Sequence, residues 1–198
     1  MIRFVKDILD VKNIIGMQRV QPDPAYPAGE LVLRSVEHYF YYIPYYTGYL
    51  TYSGIDQTDH VIGGSIPDTY SGQADFISSV KPDSDFIFRG DIVQLDLVDS
   101  GNNISFVAVN NTLYQLDIQN DVQTLDLRNA DNIQSIGTQP FGVTTLYAIA
   151  NNAMQRGVCT TIINNSPDGG ILWIDHTQAY AAAVIAAAIS HGWHVYYE

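Results

Sequence analysis

A short hydrophobic signature recurs through the middle of the chain. It reads apolar-x-x-apolar-x-apolar, often with Asn two places later. Full copies are Ile104, Val107, Val109 with Asn111; Leu113, Leu116, Ile118 with Asn120; and Val122, Leu125, Leu127 with Asn129. An earlier copy without the Asn has Ile92, Leu95 and Leu97, and weaker ones have Ile133 with Ile136 and Val143 with Leu146. Each clear copy alternates as a short strand does. A turn follows at Asn102-Asn103, Asn110-Asn111, Asn120-Asp121 or Asn129. Asn suits that place because it tolerates tight-turn geometry and bonds nearby backbone. One such unit cannot bury its own apolar face, and stacking solves that. The pattern therefore predicts a stacked coil of short strands over 90–150, with Asn side chains satisfying backbone groups of the neighbouring unit. Two units make about twenty residues, the short end of the leucine-rich-repeat range.

The residues before the repeats follow other patterns. Residues 1–20 carry Ile2, Phe4, Val5, Ile8, Leu9, Val11, Ile14 and Ile15, which fits an amphipathic helix, two short strands or an extended arm on a neighbouring subunit. Pro22, Pro24 and Pro27 then mark a rigid loop and exclude helix. Leu31-Val32-Leu33 begins a strand. Next come seven tyrosines in fourteen residues: Tyr39, Tyr41, Tyr42, Tyr45, Tyr46, Tyr49 and Tyr52. Pro44 and Gly48 interrupt the run, which predicts strand, turn, strand. Tyrosine joins a large apolar body to a polar tip. The run therefore reads either as an aromatic sheet face packed inside or as an exposed surface for assembly or ligand. Gly63-Gly64 through Gly72 is loop-like, and a domain boundary is expected near 80–90.

After 143 the period changes. Leu146, Ile149, Ala150, Ala153 and Met154 have helical spacing, and Gly157 is placed to end that helix. Thr160-Thr161-Ile162-Ile163 reads as a short strand, and Ile171-Leu172-Trp173-Ile174 as another. An alanine-rich helix is expected from about Gln178 to Ser190, capped by Asp175 or Thr177 and ended by His191-Gly192. Trp193 to Tyr197 is a final strand. A repeat stack needs its open end covered, and this unit suits that role.

Region 92–198 resembles the leucine-rich-repeat-like C-terminal segments of Bacteroidetes proteins and of phages that infect those bacteria. The resemblance is carried by Leu146-Tyr147-Ala148-Ile149-Ala150-Asn151-Asn152, then Gly169-Gly170-Ile171-Leu172-Trp173-Ile174, then the alanine helix, then His191-Gly192-Trp193-His194-Val195. It implies a virion structural protein, a capsid, neck or tail accessory, with no catalytic residues. Its partners would be other virion proteins and itself, as a homo-oligomer. The expected fold class is α+β, mostly β. An N-terminal β-rich assembly module over 1–88 precedes a short leucine-rich-repeat-like β-solenoid over 89–198, with a helix-strand-helix-strand cap. A carbohydrate-binding or host-surface adhesion module is the alternative, with the same tyrosines and the recurring Asp96, Asp117 and Asp126 holding a glycan.

Charge narrows the partners. Twenty-one acidic residues against nine basic ones give a net charge of −12. That argues against binding nucleic acid phosphate or an anionic membrane surface. No apolar stretch reaches a membrane-spanning length, and no cleaved leader is expected. Candidate chemistry is sparse. Cys159, the sole cysteine, reads as a small buried apolar residue rather than a nucleophile. His191 and His194, with Asp175-His176, have the residue types of a metal site but lie across a helix-to-strand junction, so capping or exposed histidines are expected instead. Asp59-His60 with Ser53 or Ser65 lacks a nucleophile elbow. Asp96, Asp117 and Asp126 recur at one position of the repeat and predict an outward-facing column. A solvated face is the favoured reading of that column over a calcium site. No cofactor is expected, because no phosphate loop or dinucleotide fingerprint is present.

Overall fold

In the computed structural model, the repeated signature forms two series of parallel strands. The description covers residues 24–36, 39–53, 72–73, 76–79, 84–97, 104–118, 122–137, 142–148 and 157–197. The expected N-terminal arm or helix, the Asp59-His60 pair, Ser65, Gly63-Gly64 and the Asn102-Asn103 and Asn120-Asp121 turns lie outside these residues. The strands are β1 (Glu30–Ser35), β2 (Tyr39–Ser53), β3 (Gly72–Gln73), β4 (Phe76–Ser79), β5 (Phe86–Leu97), β6 (Ile104–Ala108), β7 (Gln115–Ile118), β8 (Val122–Asp126), β9 (Ser135–Ile136), β10 (Thr145–Tyr147), β11 (Ile171–Ile174) and β12 (His194–Tyr197). Among the described residues the helices are α1 (Val158–Asn164) and α2 (Ala181–Ser190). The protein is thus mostly β, and its strands join in one mixed sheet that does not close.

Successive repeats alternate between the two series. One series runs β6, β8, β10, β11, β12, all parallel, with Val107 opposite Leu125, Leu125 opposite Leu146, Leu146 opposite Leu172 and Leu172 opposite Val195. The other runs β5, β7, β9, with Leu95 opposite Leu116 and Leu116 opposite Ile136. Parallel pairing demands a long return segment between partners. Here that segment contains a strand or helix of the other series.

β5 joins this arrangement to the N-terminal strands. Its first half pairs antiparallel with β1 and its last four residues pair parallel with β7, while β2 runs along its other edge. Gly90 lies between the two halves with φ 145°, a backbone conformation that other residues rarely adopt. β1 also pairs antiparallel with β6. The expected division after residue 88 therefore falls inside β5, and hydrogen bonds of β1 cross it.

The apolar positions of the signature form the core. Leu95, Leu97, Val107, Val109, Leu116, Ile118, Leu125, Leu127 and Leu146 are buried in one cluster with Leu31, Leu33, Phe86 and Phe88 from the first strands. Leu116 is fully buried between its register partners, so truncation to Ala costs about 2–5 kcal/mol. A smaller cluster of Val32, Phe106 and Ala108 lies apart from this core, with Tyr26 and Ile87 packed on it.

Asn and Thr side chains tie neighbouring turns together. The Asn132 amide donates to the Asn111 carbonyl at 2.6 Å, and the Thr112 hydroxyl donates to the Ile92 carbonyl at 3.0 Å. Asn110, wholly buried, accepts from the Leu113 N–H and donates to the Gly90 carbonyl. The Asn110 bond to the Leu113 N–H meets a backbone donor that is buried, where an unpaired group is costly.

Three local expectations are corrected. The tyrosine run is one strand, β2, rather than strand, turn, strand. Pro44 stays in register opposite Leu95, and shifts at Tyr45/Tyr46 and Thr47/Leu50 absorb the extra residues as bulges. Residues 145–147, expected to begin a helix, form β10, because pairing with both β8 and β11 outweighs local spacing. The segment expected as a short strand at 160–163 lies in α1 instead. Val158, Cys159, Ile162 and Ile163 form its buried face, and Gly157, φ 74°, is its N-cap; the rest of the expected preceding helix, 149–156, lies outside the described residues.

Candidate functional site

The outer face of β5 and β7 repeats its side chains from one strand to the next, and Ser135 of β9 follows opposite Gln115. Gln94 is opposite Gln115, and Asp96 is opposite Asp117. Within each strand the glutamine amide donates to the aspartate two residues on, at 2.9 Å from Gln94 to Asp96 and 2.7 Å from Gln115 to Asp117. Burial raises the Asp96 pKa, and the charge of Asp117 adds to this. Hydrogen bonds from Gln94 and Tyr45 act in the opposite sense. In the third strand Gly137 follows Ile136, and a Cβ there would stand 3.2 Å from the Asp117 carboxylate.

Beside these pairs is a shallow cleft of about 480 Å³. Gln94, Thr112, Tyr114, Gln115, Asn132 and Gln134 line it, with Val93 at one side. Tyr114 is 49% exposed. Its backbone is fixed, since its N–H donates to Val93 and its carbonyl accepts from Gln134.

The expected aspartate column is therefore a pair. Asp126 belongs to the other parallel series, opposite Ala108 and Tyr147. It is buried and takes hydrogen bonds from Arg128 Nε at 2.9 Å and Arg128 Nη2 at 2.7 Å. The Arg128 backbone N–H donates to the same carboxylate. The Arg128 guanidinium lies 4.4 Å from the centre of the Tyr147 ring. Tyr147, Trp173 and Tyr196 continue as a stacked row across β10, β11 and β12. Sequence position alone puts Asp126 with Asp117; the alternation of the two series separates them.

A third polar group pins the proline loop. Arg34 donates to Asp85 through Nε and Nη2, at 2.9 and 2.6 Å, and the Tyr26 hydroxyl donates to Asp85 at 2.7 Å. Arg34 and Tyr26 both pack on the Phe106 ring. Asn129 donates to the Tyr26 carbonyl at 2.8 Å. Burial, then Asp85, pushes the Tyr26 hydroxyl up to about 12.

The predicted tyrosines lie along β2. Tyr39, Tyr41 and Tyr42 are in register with Ser79, Ile77 and Phe76 of β4, Tyr52 is opposite Phe88, and Tyr49 falls in the second register shift. The side chains of these five lie outside the described residues. Tyr45 is half-buried beside Asp96. Tyr46 is buried in the main core, so its side chain is used in packing rather than on a partner-facing surface.

The histidines do not converge. His191 Nδ1 is 2.9 Å from the Asp168 carboxylate, His176 packs against the Tyr197 ring, and His194 is exposed. Asp175 accepts from Thr177 and Gln178, which hold its carboxyl below the usual range. Among the described residues no three metal-ligating side chains come together. Cys159 is fully buried, and burial pushes its thiol up to about 12, which suits packing rather than nucleophilic chemistry. No described helix is long and apolar enough to cross a membrane. Comparisons with protein-family models, curated proteins and solved structures find no match to this chain.

Proposed function

We propose that this chain is a non-enzymatic structural protein of a phage virion, an accessory of capsid, neck or tail that mediates assembly or surface decoration. In this reading the two parallel series are flanks of one short leucine-rich-repeat-like coil, and α1, β11, α2 and β12 cap it. The observation that carries the reading is the register: the same apolar positions stack from Leu95 through Leu116 to Ile136, and from Val107 through Leu125, Leu146 and Leu172 to Val195. Stacked units of this kind present long regular surfaces suited to partners. The tyrosine strand and the proline loop are the proposed contacts with other virion subunits, including further copies of this chain. Tyr46 is left out of that surface. Light scattering on the purified protein tests the assembly role, with a defined homo-oligomer expected. A monomer at all concentrations that also fails to join purified particles would overturn it.

A second reading, a module that binds a host-surface glycan, is favoured by one observation. The cleft beside Tyr114 brings four side-chain amides and a threonine hydroxyl together with a half-exposed tyrosine ring, groups able to meet both the hydroxyls and the C–H face of a sugar.

A further inference from the structure

We propose that the cleft between β5, β7 and β9 binds a chain of neutral hexose units, an inference that rests on the glycan-binding reading and places the sugar on the repeated strands rather than on the tyrosine strand. Side-chain amides offer donor and acceptor together, as sugar hydroxyls do. Gln94 and Gln115 stand one strand apart, which is about 4.8 Å between neighbours. That repeat is comparable to the advance of one pyranose ring. Each glutamine is already oriented by its own aspartate, Asp96 or Asp117. A sugar would thus meet groups that lose little freedom on binding.

Tyr114 supplies the other half of sugar recognition. Its half-exposed ring stands among these amides on a fixed backbone. An aromatic face packs against the C–H face of a pyranose while its hydroxyl stays wet. Thr112 and Asn132 each spend a donor on the neighbouring turn, at Ile92 and Asn111, which holds the cleft floor rigid. The charge of the site sets the class of glycan. Asp96 and Asp117 lie beside the glutamines, two residues along the same strands, in a chain of net charge −12, and this repels uronate or sialic acid units.

The test is calorimetric titration of the full chain with maltohexaose, cellohexaose and mannohexaose, with hexagalacturonate as the anionic comparison. At least one neutral hexasaccharide is expected to bind. Tyr114→Ala should weaken it about tenfold or more, with circular dichroism and melting temperature unchanged. Gln115→Ala, at a partly exposed position, should weaken it as well and guards against misfolding of the first variant. Three results would overturn the proposal: no neutral sugar binds, the anionic one binds more tightly, or both variants bind as the parent does. The last leaves a glycan-binding module with its site elsewhere, whereas absence of all binding removes that reading too. Neither outcome bears on assembly into particles.

Discussion

Gly170 lies directly against the indole of Trp193: a Cβ on Gly170 would stand 2.7 Å from Cε2 and 2.8 Å from Cδ2 of the ring. The indole cannot easily retreat, because it is buried and its Nε1 donates to the Pro167 carbonyl at 3.0 Å. The Gly170 carbonyl in turn accepts from the His194 N–H, which sets β12 beside β11. Gly170→Ala should therefore destabilise the protein by about 1–3 kcal/mol, as overpacking of a filled core does. Gly29 has open space around it, and Gly29→Ala should change stability by less than about 1 kcal/mol. Urea unfolding of both variants checks the contrast.

The Asp126–Arg128 pair should be costly to break from one side. Both side chains are over nine-tenths buried, at 3% and 8% exposure. Asp126→Leu leaves the guanidinium buried without its carboxylate, a loss of about 3–5 kcal/mol. Replacing both, as Asp126→Leu with Arg128→Met, should recover much of that, because the penalty comes chiefly from the orphaned charge. A double-mutant cycle in urea measures the coupling.

These two relationships differ in how far the sequence reveals them. The Gly-Gly-Ile-Leu-Trp-Ile strand, the alanine helix and the Gly-Trp strand are each legible from composition and spacing, and so are the buried positions of the signature. The partner of Asp126 is not. Its place in the repeat equals that of Asp117, yet successive units fall on different series, so equal positions are neighbours only every second unit. The β10 and α1 segments were obscured for a related reason. Leu146 continues both a helical spacing and a strand signature, and pairing on both edges decides between them. In α1, the buried Val158, Cys159, Ile162 and Ile163 do carry a helical spacing, but β-branched Thr160 to Ile163 mask it. The cleft escapes a sequence reading because its walls come from the middle of β5, the start of β7 and the turns before β7 and β9, in three separate units.

Acidification should relieve the Asp96 site. Its folded pKa is raised by burial and by Asp117 above the ordinary 3.8. Between those two values the folded state holds a proton that the unfolded chain gives up. This contribution therefore favours the fold as pH falls through the raised value, and opposes it near neutrality. Asp96→Asn should raise the melting temperature at pH 7 and make its change toward acid pH differ in that direction. Thermal melts across the acid range compare the two proteins.

Alkaline pH should act through Tyr26. An ordinary tyrosine ionises near 10.0, whereas burial and Asp85 push Tyr26 up to about 12. Over that interval the unfolded chain releases a proton that the folded one keeps. The stabilisation is complete below 10 and is lost as pH climbs. Ultraviolet titration should show a late-ionising phenol that Tyr26→Phe removes, and the substitution should soften the alkaline loss of stability.

The proposed role in a virion is tested most directly by mass spectrometry of gradient-purified phage particles from the cells that make this chain. The account predicts the chain within intact particles, at a copy number that fits a symmetric ring or shell. Its absence from particles, with all of it recovered free in the lysate, would contradict that role.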